Sequence, residues 1–444
     1  MPLKRFFGRS RDDIPPPAPE AELDAVTEGD DEGEVQGEEE VLPEEAAERS
    51  WLSRAAAVLP TGASTGSKRV EVLYGAHTDD LPSHFAAASG ALITDANGYQ
   101  YLDCTMALGA VALGYAEPRV TSAVIEAVTH GNVCALSDRR EVELAERLCS
   151  IIPCAERVQF LKTGAEATAA AVRLARTHTG RDHVVACGYF GWHDWCSDSP
   201  GVPASIRKTV SWVPFDEIGA LERAVSAAGA SLAAIIIEPI VEQLPSPAWL
   251  ERARALCDAN GAVLIFDETK TGFRIAPGGY QELCGVTPDL ATFGKALANG
   301  FPLAAVAGRE ALMKAARDTW ISSTLAGEST GLAAALAVLD WHDEADICAT
   351  LAETGREMRA SVDRAIAASG IEGVSTAGID CMWRMRWADA DRENQFVAHA
   401  MREGVLFKRG AYNFAAIAHD EAALRDIEAA ASAAFVAIVE SERA

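Results

Sequence analysis

"LIFDETKTGFRIAPGGYQELCGVTPDLATFGKALANGFPLAAVAG", residues 264–308, is the stretch whose reading decides the fold. It opens on an apolar run that ends in two acids, Asp267 and Glu268, and closes on PLAAVAG, a second short apolar run. Between them, the small and apolar residues of ATFGKALANG surround one charged residue, Lys295. Short apolar runs bounded by Gly, Pro or an acid have the pattern of strands buried on both faces. A lysine in such surroundings is destabilised, because desolvation opposes its charge. By local sequence alone, Lys295 is a surface lysine in a loop, a buried ion-pair partner, or a nucleophile held short of protons.

The same pattern recurs outward from this stretch. VQFLKTG (158–164), HVVACG (183–188) and AAIIIEP (233–239) read as further strands, with AVLIFDE (262–268) and PLAAVAG (302–308) from the quoted stretch. AEATAAAVRLARTHTG (165–180) reads as a helix ended by Gly180, and PRVTSAVIEAVTHG and DRREVELAERLCSII as two more. This βαβ alternation over about 115–310 predicts an α/β fold with a mostly parallel sheet covered by helices. ALITDANGYQYLDC (91–104) predicts a hairpin turning at Asn97-Gly98. After a long helix over 330–343 the style changes, and helices bracket GIDCMWRMRW and GVLFKRG. The expected organisation is a disordered acidic arm (1–50), an N-terminal segment of a small domain (51–114), a large domain (115–344) and a C-terminal small α+β domain (345–444).

Charge narrows the partners. The net charge is −26, but residues 20–50 alone hold fourteen Asp or Glu and one Arg, a local net of −13. That segment is too poor in aromatics to fold alone, and reads as a solvated tail or as a docking tail for a basic partner. The rest is mildly acidic, which disfavours nucleic acid or an anionic membrane as ligand. No apolar run reaches the roughly 18 residues of a membrane span. The N-terminus has no apolar signal region, so secretion is not expected. The ten cysteines are scattered with no CxxC, which predicts reduced thiols, a cytoplasmic location and no metal site.

In open α/β sheets, ligands gather at the carboxyl ends of the strands. VQFL runs through Lys162-Thr163-Gly164-Ala165-Glu166 into a helix, whose first N–H groups suit a phosphate. HVVACG leads to Gly188-Tyr189-Phe190-Gly191-Trp192-His193, a dense aromatic patch fit for packing or for stacking on a planar ring. AAIIIEP delivers Glu238, AVLIF delivers Asp267, and LATFG delivers Lys295. A phosphate cradle, a stacking ring, acids and a lysine at one edge would serve an anionic, pyridine-like cofactor held as a Schiff base.

From about residue 58 onward the chain resembles the class III, fold-type I PLP-dependent aminotransferases, in the subgroup near glutamate-1-semialdehyde aminomutase and the nucleotide-sugar-type transaminases. The resemblance is carried by residues 264–308, FLKTGAEATAAAVRLARTHTGRD (160–182) and STLAGEST (323–330). It implies a large domain with a seven-stranded, mostly parallel sheet flanked by helices. It implies pyridoxal 5'-phosphate as cofactor, Lys295 as the Schiff-base lysine and Asp267 as partner of the pyridinium nitrogen. It further implies phosphate contacts from Gly164 and Ala165, stacking by Tyr189, and Glu238 as an acid near the cofactor. Thr324 would reach the phosphate from the neighbouring subunit of a homodimer. The substrates would be a small amino donor and a carbonyl acceptor.

Several positions depart from the family's pattern. Ala165 stands where a Ser or Thr is common, Phe190 where a His is usual, and Thr269 where an aliphatic residue often packs on the ring. The segment from Asp194 to Pro203 is short where the aminomutase carries a longer lid. These departures keep open an aminomutase, a racemase or a carbon–carbon bond-forming enzyme, and a catalytically silent binding subunit stands as a reading from another class. Phe190 and Trp192 read equally as packing or substrate contacts, His193 as structural, and Lys68-Arg69 as surface residues more than as anion ligands.

Overall fold

The computed structural model describes residues 50–76 and 81–443. The acidic arm expected over 1–50 lies outside them, save Ser50, whose hydroxyl caps the helix Trp51–Val58 by accepting from Ser53 N. From there the described residues form three sheets.

The largest is seven-stranded. Its order is Arg157–Leu161, Ala304–Gly308, Leu290–Phe293, Val263–Asp267, Leu232–Ile237, His183–Cys187, Val210–Trp212. Only Ala304–Gly308 runs against its neighbours. All five residues of Val263–Asp267, the middle strand, are buried. Side chains alternate between faces, as a pleated strand requires. Val184, Ala234, Ile236 and Ile265 pack on one face, under the alanine-rich side of the helix Gly164–Thr179. Val185, Ile235, Leu264 and Phe266 pack on the other, against Leu221, Trp249 and Leu250 of the helices Ile218–Ala228 and Pro247–Asn260. Burial on both faces is why these strands read as continuous apolar runs.

The hairpin at Asn97-Gly98 forms as expected, with Leu92 opposite Leu102 and Thr94 opposite Gln100. Asp95 Oδ1 accepts from both Asn97 N and Tyr99 N, and Gly98 supplies the positive φ of 91° that the turn needs. This hairpin sits in a four-stranded sheet with Phe85–Ser89 and, in parallel to Gln100–Asp103, Val405–Leu406. A three-stranded sheet, Val374–Ile379, Met382–Trp387 and Asn413–Phe414, completes the set. Trp387, Phe396, Phe407 and Phe435 form an aromatic cluster linking Met382–Trp387 to the helices Ala390–Arg402 and Glu421–Arg443.

One turn near the site is strained. Met106, Ala107 and Leu108 hold φ of 44°, 50° and 59°, the left-handed region. Each non-glycine residue there costs about 1–2 kcal/mol. The buried guanidinium of Arg274 holds the segment: it donates to the carbonyls of Gly109 (3.1 Å), Val111 (3.3 Å) and Ala415 (2.7 Å). Gly109 is required, since a Cβ there would meet the Phe414 ring at 2.6 Å. Replacing Arg274 by Met leaves those buried carbonyls without a charged donor. Arg274→Met is therefore expected to lower the urea-unfolding free energy by at least about 3 kcal/mol; an unchanged midpoint and slope would show that the turn needs no clamp.

Candidate active site

A cavity of about 670 Å³ opens at the carboxyl ends of the parallel strands. It gathers Gly164, Ala165, Tyr189, Glu238, Asp267 and Lys295 on its walls. Six of the seven residues singled out from sequence thus share one space. Thr324 does not: it is exposed, and lines a separate surface depression beside Asn132 and Ser323.

Lys295 follows the strand Leu290–Phe293 and opens the short 3₁₀ helix Lys295–Ala298. Its φ of 49° is left-handed, a strain tolerated where the fold over-determines a functional position. Burial, and then the nearby charge of Lys270, lower its ammonium to about 8, although Glu238 and Asp267 pull the other way. Asp267 ends the adjacent strand, and the parallel register sets it beside Thr292. Asp267 Oδ1 accepts from Thr292 Oγ1 at 2.8 Å and from Thr269 N at 3.1 Å, so the carboxylate is held in one orientation.

The helix Gly164–Thr179 begins with a capping box. Thr163 Oγ1 accepts from Glu166 N, while Glu166 Oε2 accepts from the N–H groups of Lys162 and Thr163. The N–H groups of Gly164 and Ala165 make no hydrogen bond among the described residues, and both residues face the cavity. They stand at the positive end of a 16-residue helix. A side chain on Gly191 would strike the Ala165 Cβ at 2.4 Å, so this wall admits only glycine.

Glu238 turns out to be a brace. One oxygen accepts from Tyr189 N at 2.9 Å and the other meets Lys270 Nζ at 3.0 Å. Gly188, with φ of 136°, lies so close that a Cβ would touch Glu238 Cγ at 2.6 Å. Burial pulls the Lys270 ammonium down, but Glu238 and Tyr412 outweigh it and raise it above its ordinary value. Lys270 Nζ also lies 4.8 Å from the centre of the Tyr412 ring.

Tyr189 and Trp192 expose their rings at the cavity, at 75% and 77% of full accessibility. Phe190 also lines the cavity, but is buried against Trp195 and Trp212. His193 lies outside the cavity with its ring edge-on to Trp192, and Lys68 is an exposed residue at another depression. Thr269 faces the cavity, and its buried hydroxyl makes no hydrogen bond. Sequence reasoning passed over Lys270 and Thr292, and named Lys162 only as part of the turn. Lys162 Nζ ties Glu328 (2.8 Å) to the carbonyl of Pro302 (3.0 Å) at the cavity wall. Each depends on a partner distant in sequence, so no local pattern announced it.

The family model for class-III aminotransferases matches residues 74–195 and 204–417. The chain belongs to that family. The match breaks at 196–203, inside the segment that reads as shortened. A 3-aminobutyryl-CoA aminotransferase of Cloacimonas acidaminovorans is 35% identical over 66% of this chain and 73% of its own length. A glutamate-1-semialdehyde 2,1-aminomutase of Methanothermobacter thermautotrophicus is 39% identical over 59% of this chain and 64% of its own. Among solved structures, the PLP internal-aldimine form of the FumI protein of Sphingopyxis sp. MTA144 superposes with a TM-score of 0.84 at 27% identity. That match covers 89% of this chain and 97% of FumI.

As a class-III aminotransferase the chain is a PLP-dependent enzyme, and its cavity fits that cofactor. Unpartnered N–H groups at a helix start suit the phosphate, an oriented carboxylate suits a ring nitrogen, and an exposed aromatic face suits a planar ring. Among the described residues, no helix is long and apolar enough to cross a membrane.

Only a neutral amine attacks a carbonyl carbon, so the lowered Lys295 should be measurable in cofactor-free protein. Acylation of Lys295 by a dilute anhydride, followed by peptide mapping across pH, is expected to reach half its maximal rate near pH 8. A half-point near the ordinary 10.5 would contradict the burial argument. Thr292→Val removes one of the two hydrogen bonds to Asp267 and is expected to cost about 1 kcal/mol in urea unfolding.

Proposed function

We propose that this enzyme moves an amino group from an amine or amino-acid donor to a carbonyl acceptor, with Lys295 as the residue that bonds the cofactor and carries the proton. The observation that supports this most is one cavity holding a buried amine lowered to about 8 and an oriented Asp267 carboxylate. Bound PLP supplies an electron sink for the carbanion left when the substrate carbon loses its proton. Lys295 Nζ would hold the cofactor covalently through its aldehyde carbon. When not bonded to the cofactor, the Lys295 amine, lowered to about 8, would be able to take and return a proton near neutral pH. Asp267 holds a positive charge on the cofactor's ring nitrogen. Gly164 and Ala165 bind the phosphate through their N–H groups. Tyr189 would offer its exposed ring to the cofactor, and Glu238 fixes the Tyr189 backbone.

Thr324, exposed and remote from the cavity of its own chain, completes the phosphate site of a second copy. The functional unit is then a homodimer, working in the cytoplasm. Residues 115–344 form its larger, cofactor-binding domain, and 51–114 with 345–444 the smaller one.

Two experiments test the reading. Loaded enzyme given an amino donor and no acceptor should release one carbonyl product per site and then stop, and an acceptor should restart it. An intramolecular transfer, the reaction named for the aminomutase relative, would instead isomerise the substrate with no free carbonyl product; silence across a broad donor panel would sink transamination. Separately, Lys295→Ala and Thr324→Ala chains, each impaired alone, should regain activity when mixed and allowed to exchange subunits, because one of the two shared sites then holds both native residues. No recovery would remove Thr324 from the partner's site.

A further inference from the structure

A second cavity of about 270 Å³ lies beside the first, and the two share one wall residue, Leu108 of the strained turn. Its walls are largely apolar, formed by Leu73, Ile93, Met401 and Leu406. Into this apolar lining the fold sets Lys408, only 5% exposed. Lys408 is placed by its backbone, whose N–H donates to Asn413 Oδ1 at 2.8 Å. Its ammonium makes no hydrogen bond or ion pair among the described residues, unlike the buried ammonium groups of Lys162 and Lys270. Burial and the charge of Arg409 push it below its ordinary value, with Glu393 opposing.

The acids in the same wall are already engaged. Asp103 accepts from Thr105 N and from the Tyr115 hydroxyl, each at 2.6 Å, and Asp95 accepts from the hairpin N–H groups. Neither pairs with Lys408. An ammonium that lines an apolar cavity with no ion-pair partner of its own gains by contact with an anion. Lys68 and His84 line the same cavity, so two lysines stand against the two carboxylates, and it is the largely apolar lining that favours a carboxylate on a carbon chain over a phosphate. The space, about 270 Å³, is enough for a short carbon chain.

We propose that Lys408 is an anion-recognising residue, and that its cavity takes a short apolar chain ending in a carboxylate. Two sources supply that chemistry. One is the far end of an amino substrate that reaches past Leu108 from the catalytic cavity; this source rests on the aminotransferase reading. The other is a separate carboxylic acid, which does not.

The test uses the PLP-loaded full chain and hexanoate as probe. Titration calorimetry should give saturable binding that Lys408→Met weakens at least about tenfold and Lys408→Arg retains. No saturable binding, or equal binding by wild type and Lys408→Met, overturns the proposal. Turnover then separates the sources. Straight-chain primary amines of increasing length are compared with the same amines bearing a terminal carboxylate. A kcat/KM preference for the carboxylated member at some length, falling at least about tenfold in Lys408→Met, assigns the cavity to the substrate's far end. Hexanoate binding without such a preference assigns it to a separate acid. Hexanoate binding with no amine turned over leaves the Lys408 site standing and rejects the transaminase reading alone.

Discussion

The constraint on which the site depends is an amine whose ammonium is destabilised by burial at the end of a sheet. Lys295 lines the cavity wall, where desolvation and the Lys270 charge work against its ammonium. An uncompensated charge there would be costly. The surrounding groups do not neutralise it outright: Glu238 is engaged by Lys270 and Tyr189, and Asp267 is held by Thr292 and Thr269. The lysine is left more easily deprotonated than an ordinary one, and the acids around it are held by other partners.

That arrangement requires a rigid frame. Asp267 is fixed because its strand is central and buried, and because the parallel register puts Thr292 at its side. Beyond the cavity, Asn299 accepts from the N–H groups of Ala112 and Leu113 and donates to the carbonyl of Gly114. Arg274 holds the preceding turn by its carbonyls. Residues 105–114 are thus tied from two directions to the segment that carries Asp267 and Lys295. A strained turn so held can present Leu108 to both cavities without relaxing.

Much of this was legible in the sequence, for identifiable reasons. Strands buried on both faces write themselves as apolar runs, so HVVAC, AAIII, VLIFD and AAVAG were readable. The acids and lysine at their ends stand out against that background. Val210–Trp212, a three-residue edge strand, carries no such run, and Leu290–Phe293 was too short to separate from a loop by periodicity. The reversed direction of Ala304–Gly308 is a topological fact with no local signal. In the site, Lys270 looked like any polar residue between matched positions, because its partner Glu238 comes from another strand end. Phe190 and Tyr189 are neighbours in sequence with opposite fates, and only packing against Trp195 and Trp212 decides which ring is left exposed.

The central claim is that the Lys295 amine is the one bonded to the cofactor. Borohydride reduction of PLP-loaded enzyme, followed by digestion and mass spectrometry, tests it most directly. The account predicts a single stable phosphopyridoxyl adduct on the peptide containing Lys295, absent when a Lys295→Ala chain is treated alike. An adduct on Lys270 or Lys162, or PLP retained with no reducible linkage, would contradict it.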